Sequence, residues 1–167
     1  AMVLQGKKSN YDTDVFTPLI REIEAITNSK YGTSEETDIA IRVIADHVRA
    51  LVFCIADGVL PSNEGRGYVV RRILRTALRD GIKLGHDKAF LHRLAPTIVR
   101  LMKKAYPSLE ERESAIIMTL QAEEEGFLET LEKGEIALRE RIAEKKQLSG
   151  EDAFLLYWGK RTVIGRR

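Results

Sequence analysis

A long amphipathic segment between Ser34 and Asp57 constrains the fold more than any other feature of the sequence. Its apolar residues recur every three or four positions, which places them on one face of an α-helix. The residues of this face are Ile41, Ile44, Ala45, Val48, Leu51, Val52 and Ile55. Because Ile39, Val43 and Phe53 make the other faces apolar as well, the segment predicts a helix at the centre of a domain. Ser34 is its expected N-cap.

The same spacing predicts helices in most of the remaining chain. One begins with Thr17 as N-cap and runs to about Asn28. A second covers about 68–80 and should be stopped by Gly81, and a third covers about 87–105, where Pro96 should introduce a kink. A long helix should follow from Ser108, whose side chain can form a capping box with that of Glu111. Four prolines in 167 residues give little of the punctuation typical of short strands. We therefore expect an all-α fold of about five helices, the last of them long.

The long helix carries an apolar stripe with an eleven-residue repeat, or about 3.67 residues per turn. The stripe consists of Leu109, Ile116, Leu120, Phe127, Leu131, Leu138 and Ile142. It could form a dimeric coiled coil or pack against the helix's own domain. The second arrangement is favoured because Gly126 and Gly134 interrupt the helix.

Several classes of protein are disfavoured by composition and motifs. No apolar run approaches the roughly 20 residues of a membrane span. The only cysteine, Cys54, cannot form an internal disulfide, which fits a reduced cytoplasmic setting. The three histidines are scattered along the chain without cysteine or clustered carboxylate neighbours, so we expect no metal site. The sequence Gly65-Arg66-Gly67 lacks the third glycine and the preceding strand of a dinucleotide site.

The charge is concentrated in two adjoining segments. Residues 58–105 contain 11 basic and 3 acidic residues, and residues 106–147 contain 6 basic and 11 acidic ones. Five arginines without an intervening acid lie between positions 66 and 79, in and just before the helix predicted at about 68–80, namely Arg66, Arg71, Arg72, Arg75 and Arg79. Arginines spaced by four residues repel one another unless an anion lies against them, and their planar forks fit phosphate oxygens. Nucleic acid is therefore the favoured partner, and pairing with glutamates of the long acidic helix is the alternative.

Three segments of the chain resemble alanyl-tRNA synthetases. They are Asn10-Tyr11-Asp12-Thr13-Asp14, the stretch 42–49 beginning Arg-Val-Ile-Ala-Asp-His, and the stretch 55–75, which contains Leu-Pro-Ser-Asn-Glu-Gly-Arg-Gly-Tyr. The similarity continues through 123–134 and 148–157, so it covers residues 1–157 in order.

The resemblance implies a helical tRNA-recognition domain over residues 1–157, followed by a divergent basic tail at 158–167. The third class II signature motif would stand just before Ala1, so no catalytic residue is expected here, and no cofactor. ATP, magnesium and zinc are implied for the full-length enzyme only. The implied partners are the acceptor stem of tRNA(Ala) and the catalytic and editing domains of the same enzyme, without membrane or DNA.

The resemblance also supplies a base-reading residue. The family recognises a G·U wobble pair, which leaves an N–H of the guanine 2-amino group unpaired in the readable minor groove of A-form RNA. It places one reader at Asn63, whose amide oxygen would accept from that group, while Arg66, Arg71, Arg72, Arg75 and Arg79 would bind the backbone. Without the family, Asn63 would be a loop-closing or helix-capping residue.

The second reader of the family is an aspartate after a Leu-Tyr pair, and here that position is Trp158. A tryptophan offers only a donor, so it cannot accept the same hydrogen bond. The remaining alternative function is a helical self-association module that binds no RNA.

Overall fold

The computed structural model describes residues 1–145, with side-chain environments to residue 143. These residues form six α-helices and a 3-10 turn at Asn10–Asp12, and no strand is found among them. The helices are α1 (Thr17–Thr27), α2 (Glu35–Ala56), α3 (Gly65–Lys83), α4 (Leu91–Met102), α5 (Ser108–Glu111) and α6 (Glu113–Lys145). The predicted all-α fold with a long C-terminal helix is confirmed.

The chain divides into two compact units, residues 1–124 and residues 125–167. The first contains α1 to α5 and the start of α6. In the second, the described part of α6 carries exposed ion pairs one turn apart, Lys133 with Glu129 at 2.5 Å and Arg139 with Glu135 at 3.6 Å. The domain boundary predicted after residue 157 lies outside the described residues.

Helix α2 is the central element of the first unit, as its apolar surface predicts. It packs against α1, α3, α4 and α5. Ile41, Ile44 and Val48 have no exposed surface, and full burial of such a side chain stabilises the fold by about 1.5 to 3 kcal/mol. The hydroxyl of Ser34 accepts from the backbone N–H of Thr37 at 3.2 Å, which confirms the predicted N-cap.

A polar and aromatic cluster attaches the N-terminal segment to α2. The Tyr11 hydroxyl donates to Asp46 at 2.5 Å, and this bond, with burial, raises the pKa of Tyr11 to about 12. The guanidinium of Arg42 lies 5.4 Å from the ring centroid of Tyr11 and 5.2 Å from that of Tyr31. Two of the segments that carry the family resemblance therefore contact each other here.

The ends of α1 and α3 differ from the predicted ones. Thr17 is the first residue of α1 rather than its cap, because Phe16 occupies the N-cap position. Helix α3 begins three residues earlier than predicted and continues through Gly81 to Lys83. Gly81 does not stop the helix but admits a neighbour: a Cβ at this position would lie 2.5 Å from Cε1 of the buried Phe90.

Helix α4 is shorter than predicted at both ends, and Pro96 lies inside it. Its start is fixed by a residue far away in sequence. The carboxylate of Glu124 accepts from the backbone N–H groups of Phe90, Leu91 and His92 at 2.8, 2.7 and 3.0 Å. Nδ1 of His92 lies 2.7 Å from the same carboxylate, which is fully buried. A negative charge against unpaired N–H groups at a helix N-terminus is stabilising, and here it also joins α6 to α4.

The predicted capping box of the long helix is wrong. Ser108 makes no capping bond, and the helix is divided at Arg112 into α5 and α6. The side chain of Arg112 donates to the carbonyl of Ala56 at the end of α2, so a tertiary contact accompanies the break. Ile116 and Leu120 of the stripe are fully buried in the first unit, in agreement with packing against the helix's own domain. Gly126, expected to interrupt the helix, lies within it, as does Gly134.

The buried cap predicts a large effect of a small change. The Glu124→Gln substitution removes the negative charge. It also places an N–H₂ group, which is a hydrogen-bond donor, against the backbone N–H groups at the start of α4, which are donors as well. We expect the free energy of unfolding in urea to fall by roughly 2 to 4 kcal/mol. Glu132→Gln, at an exposed site of α6, makes the same chemical change as a control. Equal denaturation midpoints for the two variants would contradict the capping role.

Candidate nucleic-acid interface

A tight loop connects α2 to α3 and lies directly on the first turn of α3. The N–H of Ser62 donates to the carbonyl of Gly67 at 3.1 Å, and the Ser62 hydroxyl donates to the carbonyl of Glu64 at 2.9 Å. A Cβ at Gly67 would lie 2.4 Å from the carbonyl oxygen of Leu60 and 2.1 Å from Oγ of Ser62. Gly65, with φ of +57°, begins the helix. The glycines of this motif therefore bring the loop against the helix.

Asn63 lies exposed at the outer side of this loop, and its amide oxygen accepts from the guanidinium of Arg71. It is not the N-cap of α3, since Glu64 occupies that position. A guanidinium has donors only, so the amide turns its oxygen towards Arg71 and its N–H₂ group away. The oxygen keeps a second lone pair for another donor. Loop and helix are thus joined through the residue that the family resemblance marks as the reader.

The Arg71 side chain is held in turn by Glu123 of α6. Its NH2 atom donates to Oε2 at 2.8 Å, and its Nε lies 2.7 Å from Oε1, an ion-pair contact in which the Nε–H makes no hydrogen bond. The side chains are 20% and 14% exposed, so water screens this pair less than an open surface pair. It is the internal pairing with the acidic helix that the sequence left as an alternative.

Arg75 approaches the same carboxylate, with its NH2 atom 3.5 Å from Oε1 of Glu123. Burial lowers the pKa of Arg75 from its ordinary value, and the negative charge of Glu123 opposes this shift. Glu123 therefore neutralises part of the charge of two guanidinium groups.

The other three arginines of the predicted set are exposed. They are Arg66, Arg72 and Arg79. Arg79 makes one local contact, a 3.3 Å hydrogen bond from its NH2 atom to the hydroxyl of Thr76 on the same helix. The structure thus divides the five arginines into a half-buried pair held by Glu123 and three that face solvent.

An open groove of about 430 Å³ borders the Glu123 carboxylate. Its lining consists of Leu60, Pro61, Met118, Thr119, Ala122 and Glu123. Leu60 and Met118 are 58% and 71% exposed. Glu123 and this groove were missed by the sequence reasoning, because Glu123 stands 52 positions after Arg71 in a run of three glutamates. The opposite charge of the two segments was the one available signal.

The part of the chain that the structure describes holds no group of three or more histidine, cysteine, aspartate or glutamate residues able to bind a metal ion. No helix there has the length and apolar character needed to cross a membrane. Trp158 lies outside the described residues.

The comparison with known proteins shows the family of the chain. A family model described as tRNA synthetases class II (A) matches residues 1–159. The chain therefore belongs to the class II (A) tRNA synthetase family.

Among the individual relatives of the chain are several alanine–tRNA ligases. The chain is 50% identical over 155 residues to the alanine–tRNA ligase of Thermotoga maritima, covering 93% of this chain and 18% of that protein. The alanine–tRNA ligase of Bacteroides fragilis is 49% identical over 162 residues, with 93% and 19% covered. That of Christiangramia forsetii is 52% identical over 159 residues, with 93% and 18% covered. The chain thus spans less than a fifth of the length of these relatives.

The glycine beneath the loop provides a test of this geometry. In Gly67→Ala the new methyl group meets backbone at Leu60, so the loop must move or the helix must shift. We expect a loss of roughly 1 to 3 kcal/mol in the free energy of unfolding. Gly126→Ala is the matched control, because a Cβ there meets nothing within 4 Å and should stabilise α6 by about 0.5 to 1 kcal/mol. A stabilised Gly67→Ala variant would contradict the close approach.

Proposed function

We propose that this chain is the tRNA-recognition domain of an alanine–tRNA ligase. It would bind the acceptor stem of tRNA(Ala) and its G·U pair, so that the full-length enzyme attaches alanine in an ATP-dependent reaction. The observation that carries the proposal is the contact between Asn63 and Arg71, which joins the loop to the arginine-rich helix in one surface. ATP, magnesium and zinc would serve the chemistry of the complete enzyme.

Affinity would come mainly from the exposed arginines. Phosphate contacts release counterions and supply sequence-independent binding, whereas base contacts supply selectivity. Arg66, Arg72 and Arg79 can meet phosphates without first breaking the pair with Glu123. Arg71 and Arg75 contribute less to the free charge of the surface, because the Glu123 carboxylate competes for them.

Selectivity in this chain would depend on Asn63. In a G·U wobble pair the guanine 2-amino group has no partner on the uracil, and the wide minor groove of A-form RNA leaves it accessible. The free lone pair of the Asn63 oxygen is suited to accept from it. One such hydrogen bond contributes about 0.5 to 1.5 kcal/mol, so the preference for G·U should be modest. Trp158 replaces the acidic second reader that the family pattern has.

The other proposed partners are the catalytic and editing domains of the same enzyme. The domain would act by holding the acceptor stem while chemistry takes place elsewhere in the enzyme. The self-association alternative finds some support in the pairing of Arg71 and Arg75 with Glu123 and in the exposed Ile136 and Ile142 of α6. Concentration-dependent mass in light scattering without RNA binding would favour it.

The exposed arginines give the first test. In Arg72→Gln with Arg79→Gln, two phosphate contacts are lost, so affinity for every acceptor-stem hairpin should fall alike. The slope of log K against log salt should decrease by about 2, or one per contact. Filter binding at several salt concentrations measures both quantities. The control Arg93→Gln with Arg100→Gln removes the same charge from α4. If it loses as much affinity as the α3 variant, the effect depends on net charge and not on contacts made by Arg72 and Arg79.

Base reading gives the second test. Asn63→Ala should reduce the preference for G·U over G·C without weakening binding to the G·C hairpin. Fluorescence anisotropy with the two hairpins measures the ratio of dissociation constants. A hairpin with inosine in place of guanine lacks the 2-amino group and serves as the ligand control, on which Asn63→Ala should have no effect. Equal loss on all three hairpins would count against base reading.

A further inference from the structure

We propose that Glu123 is a positioning residue that sets the hydrogen-bond polarity of Asn63 by way of Arg71. This inference rests on the proposed function, since the polarity of the amide matters only if Asn63 faces a base pair. It assigns to a glutamate of α6 a part in RNA selectivity, although Glu123 carries the wrong charge to bind RNA itself.

The first step is the ion pair between Glu123 and Arg71. Two guanidinium nitrogens of Arg71 face the two oxygens of one carboxylate, at 2.8 and 2.7 Å, with both side chains largely buried. One charge-assisted hydrogen bond and a second ion-pair contact hold the guanidinium against the carboxylate. Arg75, 3.5 Å from Oε1, adds a second positive group beside the carboxylate. The Arg71 guanidinium is therefore held at Glu123 by two of its nitrogens.

The second step is the transfer of this orientation to Asn63. The remaining terminal nitrogen of Arg71, NH1, donates to the amide oxygen of Asn63. No atom of the fork can accept a hydrogen bond, so an amide turned by 180° would place its N–H₂ group against another donor. The relay from Glu123 to Arg71 thus excludes one of the two orientations of the amide.

The third step is the consequence for the base pair. An amide with its oxygen fixed near the groove can accept from the guanine 2-amino group through its second lone pair. An amide free to turn also presents its N–H₂ group, which opposes that amino group and instead suits the acceptors common to all base pairs in the minor groove. Selectivity therefore depends on holding the oxygen in place as well as on the presence of asparagine.

The relay can be tested separately from binding. Arg71→Lys keeps the positive charge, but its single ammonium nitrogen cannot replace the separate guanidinium nitrogens that contact Glu123 and Asn63. Glu123→Gln keeps the size of the side chain and removes its charge. Arg93→Lys and Glu132→Gln make the same chemical changes at exposed positions of α4 and α6 and serve as controls.

The first readout is made on the 167-residue chain without RNA. ¹⁵N relaxation of the Asn63 side-chain amide should give an order parameter near that of rigid backbone, about 0.85. It should fall below about 0.6 in Arg71→Lys and in Glu123→Gln and stay unchanged in both controls. A mobile amide in the unaltered chain, or one that stays rigid in both variants, would overturn the relay.

The second readout is the ratio of dissociation constants for G·C and G·U hairpins. Both relay variants should lower this ratio by roughly two- to tenfold towards unity, the cost of ordering one released side chain. Glu123→Gln should at the same time bind the G·C hairpin about two- to fivefold more tightly, because a competitor for Arg71 and Arg75 is gone. General damage to the fold would instead weaken binding to both hairpins.

The possible failures can be told apart. If the unaltered chain binds neither hairpin, the proposed function and this inference both fall. If it binds both equally, base reading and the inference fall while backbone binding stands. If it prefers G·U and Arg71→Lys leaves that preference intact, only the inference is overturned.

Discussion

The carboxylate of Glu124 is the interaction on which the first unit depends. It lies without exposed surface among the N–H groups at the start of α4 and beside His92. Its neighbour Glu123 turns towards α3 and holds Arg71 and Arg75. Two successive residues of α6 thus connect that helix to two others, one inside the core and one at the surface. Arg71, held by the second connection, donates to Asn63 of the candidate site.

The fold was largely predictable because apolar residues on the buried face of a helix recur every three or four positions in the sequence. The face of α2 and its cap at Ser34 depend on residues close together in the chain, and both were predicted correctly. The start of α4 was not, because the group that caps it stands more than thirty positions later. Gly81 was misjudged for a related reason: its role is to admit the ring of Phe90 and not to end a helix.

The sequence names the residues of the candidate site but does not predict how they are arranged. The sequence places five arginines near Asn63, and helical spacing puts most of them on one side of α3. It does not distinguish Arg71 from Arg72, although one is held by a carboxylate and the other is exposed. In the sequence, Glu123 is one of three adjacent acids on a helix whose glutamate-rich surface is typical of a face exposed to solvent. A charge pair between distant segments becomes visible only when the helices are packed.

The close contact between Gly81 and Phe90 has a consequence for how the sequence can vary. The ring occupies the space that any side chain at position 81 would need, so the two positions share one fixed volume. A larger residue at one position requires a smaller residue at the other, and either change alone creates a clash or a void. Variation at these sites should therefore be correlated: a double substitution that exchanges volume between α3 and the start of α4 is sterically allowed where each single one is penalised.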